Sequence, residues 1–260
     1  MKSICKDIRK QILWAAKESG HGHIPTCFSI VEILWAVYSV LNHAPDNPSW
    51  KERDIFILSK GHGALAHYCV LAKLGYFPQD KINTLGGFQS DFGCHADRLK
   101  IPGIEASTGS LGHGIGLAVG VSLALKIGQS RRRVIALIGD GEANEGSVWE
   151  ALLVASGLKL PNLTIIYDDN RSHSRGLQIV NPGEKFLAFG CNVIEVDGHN
   201  VDAIMEALKH NGTHTQAIIA HTYKGFGCQT FLDSPYEWHR RSPNEAEYQK
   251  LIEEVYANAI

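Results

Sequence analysis

In the stretch LIGDGEANEGSVW, residues 137–149, an apolar run ends in Asp140, which stands between Gly139 and Gly141. Thirty residues later a second apolar run, LTIIYD, closes on Asp168-Asp169-Asn170. A strand–helix–strand unit takes about 30 residues, so this spacing predicts Asn170 at the sheet end beside Asp140, one strand over. One carboxylate and one amide oxygen, with a backbone carbonyl nearby, make a hard-oxygen set suited to Mg2+ or Ca2+. Mg2+ held by so few protein ligands takes the rest from water and phosphate oxygens, which points to a phosphorylated ligand. A Gly-Asp-Gly turn alone carries little, because ordinary tight turns share it. Its pairing with Asp-Asn at the end of the next apolar run gives it weight. The two glycines are expected to supply backbone angles and close approach that a Cβ would block.

The elements that must position these residues are legible as a pattern. Short, β-branched runs recur at residues 54–59, 133–139, 163–168, 192–198 and 216–222. Helical spacing occupies residues 3–19, about 29–41, 63–74, 112–127, 147–159 and 202–210, and a last helix covers about 244–257 with Asn244 as its cap. Apolar strands alternating with helices predict an α/β fold, a mostly parallel sheet with helices on both faces. Ligands of such sheets bind off the carboxyl ends of the strands, so chemistry is expected in the turns KGHG, GDGE, DDNR, DGHN and YKGFG. No repeat, low-complexity tract or linker divides the sequence, and one domain over residues 1–260 is expected.

The bulk composition excludes several classes. With 44% hydrophobic and 20% charged residues and a formal net charge of −2, the chain is an ordinary globular protein with no basic surface for nucleic acid or anionic lipid. No apolar run reaches the length of a membrane span and the first residues, MKSICKDIRKQ, are no signal peptide, so a cytoplasmic protein is expected. Six scattered cysteines without a C-x-x-C pair read as reduced, mostly buried thiols. The thirteen histidines are less ordinary, and several of them fall in or beside the glycine-rich turns.

Five segments in order carry a resemblance. GDGEANEGSVWEAL followed by NLTIIYDDN resembles the thiamine diphosphate motif of transketolase-like enzymes. SGHGHIPTCFSIVEIL is similar to that family's SGHPG segment and LSKGHGALAHY to its SxGH turn. GCHADRLKIPGIEASTGSLGHGIGLAVG follows the order GHP…TGxLGQG, and HTYKGFG…SPYEWHRRSPN looks like the T-x-K-G-x-G…WH segment of its split, single-domain members.

This resemblance implies a domain that holds the diphosphate of thiamine diphosphate through a divalent ion, Mg2+ or Ca2+. The implied metal ligands are Asp140, Asn170 and the backbone carbonyl of Ser172. The implied cofactor contacts are His62, Gly109, Ser110, Leu111, His113, Gly139, Asp140, Gly141, Glu142, Asn170 and His239. His21, His62, His95 and His239 are implied to serve the substrate's hydroxyls and a developing alkoxide, a task suited to a group whose pKa lies near working pH. Glu145 matches a carboxylate of a proton relay between the two sites of a dimer. The implied reaction moves a two-carbon ketol unit from a ketose to an aldose, so sugars or sugar phosphates are the expected substrates. Full transketolases add a pyrimidine-binding and a C-terminal domain. A partner subunit carrying the pyrimidine-binding domain is therefore expected, in a dimer of heterodimers. Other readings are a deoxyxylulose-phosphate-synthase-like enzyme, a 2-oxoacid-decarboxylating enzyme and a non-catalytic assembly subunit. The histidines favour sugars over simple oxoacids, and scaffolding needs none of the site residues.

Three departures from the family pattern bear on the substrate. His113 replaces the glutamine of LGQG. NRSHSRG replaces the usual N…IDG, with Arg175 where an acid is common. WHRRSPN replaces WHGKAP and sets Arg240 and Arg241 beside a site histidine. Arginine binds carboxylate or phosphate bidentately, whereas arginines on a loop are also simply solvated. His43, His67, His173, His199, His210, His214 and His221 match no family site and read as surface or packed residues. His23 stays open between lining the site and not, and Cys94 reads as structural. Trp149 is expected to pack, and the glycines of residues 112–128 to allow close approach of a helix to the sheet or to a partner.

Overall fold

The computed structural model describes residues 2–173, 176–209 and 212–257. Five strands, β1 Ile55–Leu58, β2 Val134–Gly139, β3 Leu163–Asp169, β4 Asn192–Asp197 and β5 Gln216–His221, form one sheet in the order β1-β2-β3-β5-β4. Every pairing is parallel. All five coincide with the runs anticipated from β-branched composition, and the sheet is wholly rather than mostly parallel.

The helices are α1 Lys2–Ser19, α2 Ile24–Ser29, α3 Val31–Val40, α4 Ala64–Lys73, α5 Gly114–Ile127, α6 Gly146–Gly157, α7 Pro182–Ala188, α8 Val201–Leu208, α9 Gln229–Asp233 and α10 Glu245–Ala257. Side chains alternate across a strand, and they feed two cores. Phe56, Leu58, Ile135, Leu137, Ile166 and Ile218 point into a core shared with α1–α4, α8 and α10. Ile57, Ala136, Ile138, Ile165, Tyr167 and Ile219 point into the other, with α5, α6 and Phe186 of α7. The three central strands are therefore buried almost throughout, while β4, at the edge, is half-exposed.

The structure revises several sequence expectations. The helix expected near residues 29–41 is α3, Val31–Val40, and a separate short helix, α2, precedes it, the two parted at Ile30, which has φ −110° and ψ 5°. The break leaves Ser29 at the sheet end, with its Oγ 3.0 Å from Asp168 Oδ2. The short α7 escaped notice, although Pro182 in its first turn is a helix-start signal. Asn244 caps α10 as expected: its Oδ1 accepts from the Glu247 N–H at 2.9 Å while Glu247 accepts from the Asn244 N–H at 3.0 Å. Trp149 packs between Phe186 and Phe189. Five cysteines are buried, but Cys94 is exposed. No helix among the described residues is long and apolar enough to cross a membrane.

The glycines of α5 separate by face. Gly114 packs on Ser59, where a Cβ would come within 2.5 Å, whereas Gly116 and Gly120 look into open space. Gly114 thus serves the approach to the sheet end, and the outer two leave a smooth exposed face.

Candidate active site

The carboxyl ends of β1, β2, β3 and β5 open into one cavity of about 630 Å3. The parallel register sets its geometry. Gly139 pairs with Asp168, and the Asp140 N–H donates to the Asp168 carbonyl at 3.2 Å, so Asp140 and Asn170 emerge from adjacent strands. Both line the cavity. Ser172 joins them, its N–H donating to Asn170 Oδ1 at 3.0 Å and its hydroxyl to Asp140 Oδ1 at 2.6 Å. Asp140 also accepts from the backbone N–H groups of Gly141 at 2.7 Å and His173 at 3.1 Å.

Asn170 is oriented from behind by Asp168. The Asn170 amide nitrogen donates to Asp168 Oδ2 at 2.7 Å and lies 3.3 Å from Ser29 Oγ. A carboxylate accepts and cannot donate, so the amide must turn its NH2 inward and its oxygen outward. Asp168 has no solvent exposure and is further held by the Lys60 ammonium and the Thr222 hydroxyl. Lys60 is also buried, and the pair neutralises itself under the cavity floor. This fits a divalent ion. Two oxygens of the right type face one space, and one has its rotamer fixed by a second layer of hydrogen bonds, as ligand residues generally require.

Glu142 is turned away from the cavity centre. Its carboxylate accepts from Ser59 Oγ, from the Gly112 N–H at 2.9 Å and from the Gly139 N–H at 3.3 Å, and burial pushes its pKa up. It clamps three loops together. The KGHG turn and the TGSLG loop meet backbone to backbone, since a Cβ on Gly61 would lie 2.7 Å from Gly109 N. The metal turn itself differs from expectation. Gly141 has an ordinary φ of −64°, and a Cβ on Gly139 would make only ordinary contact with Lys60. At Gly141 the neighbour is the His173 ring, 2.8 Å from a built Cβ. Close approach of a side chain, and no left-handed backbone, explains the glycine.

The histidines form the opposite wall. His23 stands between His62 and His239, with ring centroids 5.4 and 5.3 Å away, each edge-to-face. His95 lies against Gly109 in the same cavity. Burial, then the Lys60 ammonium, pushes His62 down to about 2. Burial also leads in His23, reinforced by His239 and Arg240, and in His239, reinforced by Lys224 and Arg240; both fall to about 4. All three rings are neutral at pH 7 and act as hydrogen-bonding groups rather than cations. Lys224 Nζ is 2.9 Å from His239 Nδ1, and burial with the nearby Lys60 charge lowers its pKa to about 8.

The anticipated residues divide cleanly. His62, His95, Gly109, Leu111, Gly139, Asp140, Gly141, Glu142, Asn170, Ser172 and His239 line the cavity. His21, Ser110, His113 and Glu145 do not. All four are exposed, with the His21 ring resting on Gly86, His113 at the start of α5 without a side-chain cap, and Glu145 at the start of α6. His23 lines the cavity two residues from His21, and His173, read as a surface or packed histidine, also lines it. Lys60, Lys224 and Tyr236 were missed. The two lysines sit within the KGHG and YKGFG turns, so position after a strand was the available signal. Arg175 and His210 lie outside the described residues.

A parallel sheet whose strand ends offer an Asp–Asn oxygen pair beneath a wall of neutral histidines defines a cofactor-binding α/β domain. Residues 1–247 match the family model described as "Transketolase, thiamine diphosphate binding domain". The chain belongs to the transketolase family, with residues 1–247 matching its thiamine diphosphate-binding domain. It is 40% identical over 256 residues to one of the apulose-4-phosphate transketolase subunits, that of Actinobacillus succinogenes, covering 95% of this chain and 92% of that one. It is 37% identical to a 6-deoxy-6-sulfo-D-fructose transketolase subunit of a Clostridium strain, covering 97% and 92%. Transketolase of Campylobacter jejuni superposes with a TM-score of 0.91 at 27% identity over 98% of this chain, but only 42% of that chain is covered.

Proposed function

We propose that residues 1–260 form a single diphosphate-binding domain that serves as one subunit of a two-component, cytoplasmic transketolase. Thiamine diphosphate supplies the carbanion chemistry by which a two-carbon ketol unit leaves a ketose and joins an aldose. The observation that carries the reading is the outward-facing Asn170 oxygen beside Asp140, on the floor of a histidine-walled cavity. Asp140, Asn170 and the carbonyl of Ser172 hold Mg2+ (or Ca2+), and through it the diphosphate. His62, Gly109, Ser110, Leu111, His113, Gly139, Gly141, Glu142 and His239 surround the cofactor, Glu142 by fixing the loops that present Gly112 and Gly139.

His62, His95 and His239, with His23 now added, place hydrogen-bonding nitrogens around the substrate hydroxyls. The imidazoles of His23, His62 and His239, held uncharged, can donate and accept hydrogen bonds to these hydroxyls and to a developing alkoxide without becoming cations. His21 and Glu145, both exposed, are assigned roles in the assembled enzyme, where a partner subunit with the pyrimidine-binding domain completes the site in a dimer of heterodimers. Relatives named as subunits of apulose-4-phosphate and sulfofructose transketolases support a sugar or sugar-phosphate substrate over a 2-oxoacid. The test mixes the purified chain with thiamine diphosphate, Mg2+, a ketose and an aldose, with and without the partner. Turnover is expected only with the partner, and robust turnover by the chain alone overturns the two-component reading.

A further inference from the structure

Arg240 and Arg241 follow His239 in sequence, yet the fold sends them to different surroundings. The Arg241 guanidinium lies 4.1 Å from the Trp238 ring centroid and pairs with Glu247 and, at 3.4 Å, with Glu237. It braces the loop against α10 and takes no part in the cavity lining. Arg240 lines the cavity from its exposed side and has no ion pair or side-chain hydrogen bond among the described residues. The cavity carboxylates are already engaged: Asp140 by Ser172, Gly141 and His173, and Glu142 by Ser59, Gly112 and Gly139. No carboxylate among the described residues forms an ion pair with the guanidinium, and the adjacent His23 and His239 are uncharged.

An unpaired guanidinium on the wall of a binding cavity is matched by an oxyanion, which it grips with two parallel N–H donors. A cofactor diphosphate and an anionic substituent of the sugar share that chemistry. The positions favour the second. Lys60 and Lys224 are buried, Lys60 against Asp168 beneath Asn170, whereas Arg240 is exposed at the outer edge of the cavity beside His239. We infer that Arg240 is a specificity-determining residue that binds a phosphate or sulfonate group of the sugar substrate and gives the enzyme its preference for charged sugars, an inference that rests on the transketolase reading above.

The experiment compares the assembled, cofactor-loaded enzyme with its Arg240→Gly and Arg241→Ala variants, using ribose 5-phosphate and ribose as matched acceptors. A charge-assisted hydrogen-bonding contact is worth about 1.5–3 kcal/mol, so the ratio of kcat/KM for the phosphorylated over the plain aldose should fall about 10- to 100-fold in Arg240→Gly. In Arg241→Ala the ratio should match the parent. Inorganic sulfate, measured calorimetrically against the assembled protein, should bind the parent and lose affinity in Arg240→Gly, with the dissociation constant for thiamine diphosphate unchanged. An unaltered ratio in Arg240→Gly overturns the inference. So does a loss confined to thiamine diphosphate affinity, which assigns Arg240 to the diphosphate. If the parent turns over no sugar at all, the transketolase reading fails, and sulfate binding still decides the role of Arg240: retention of parent affinity in Arg240→Gly overturns it and loss supports it.

Discussion

Two buried ion pairs in this molecule look alike in isolation and do different work. Arg9 and Glu32 form a two-pronged pair at 2.6 and 2.7 Å between α1 and α3, and Arg9 also donates to the carbonyls of Phe28 and Phe226. Lys60 and Asp168 form the other under the cavity floor. The first closes on helices, loop carbonyls and the His199 ring; burial is the largest influence on Glu32 and raises its pKa, but the Arg9 charge and the hydrogen bonds from His199 and Arg9 together hold it down to about 2. In the second, Asp168 Oδ2 accepts from the Asn170 amide as well as from the Lys60 ammonium and so turns the Asn170 oxygen toward the cavity, where it also accepts from the Ser172 N–H. A buried pair says little about function by its presence. What its spare lone pairs orient tells the two apart.

The sharpest way to break this contrast is Asp168→Ala. It strands the buried Lys60 charge, costing about 3–5 kcal/mol of stability, and frees Asn170 to rotate, costing about 10- to 100-fold in Mg2+ affinity. Denaturant unfolding and metal titration read the two effects separately. Glu32→Gln should cost a similar 3–5 kcal/mol through the unpaired Arg9, but leave Mg2+ affinity of the folded protein at the parent value. Equal losses of metal affinity in both variants would erase the distinction.

A smaller effect appears in pH dependence. His23, His62 and His239 have folded pKa values below the ordinary 6.5, at about 4, 2 and 4. Below pH 6.5 the unfolded chain takes up protons that the folded cavity refuses, so stability is full above 6.5 and declines as pH falls. Carboxylates such as Glu32, also depressed, add to the decline only below about 4.5. The melting temperature should therefore drop between pH 6.5 and 4.5, and less steeply in His62→Gln. An unchanged slope in that variant would show that His62 is not held neutral by the fold.

The frame was legible because strands buried on both faces must be largely apolar, as β1, β2, β3 and β5 are, while the half-exposed edge strand β4 still carries Val193, Ile194 and Val196. The thirty-residue interval between Asp140 and Asn170 was legible for the same reason, since strand–helix–strand geometry fixes it. The Asp168 hub was not, because an aspartate ending a strand reads the same whether it faces solvent or a buried lysine contributed by residue 60. His23 and His21 likewise could not be ranked from sequence. Two residues apart ahead of α2, they diverge only because the chain turns His23 toward His62 and His239 and leaves the His21 ring against Gly86. The Gly139–Asp140–Gly141 turn misled in detail, as Gly141 is explained by the His173 ring rather than by its own backbone angles.

The central claim is that Asp140 and Asn170 hold one divalent ion that in turn holds a diphosphate. Calorimetric titration of thiamine diphosphate into the assembled two-chain protein, with Mg2+ and then with the metal chelated, tests it most directly. Uptake should require Mg2+ and weaken on the order of 10^3-fold in Asp140→Ala, since a metal contributes several kcal/mol at such a site. Equal uptake with and without the metal, or full affinity in Asp140→Ala, would contradict it.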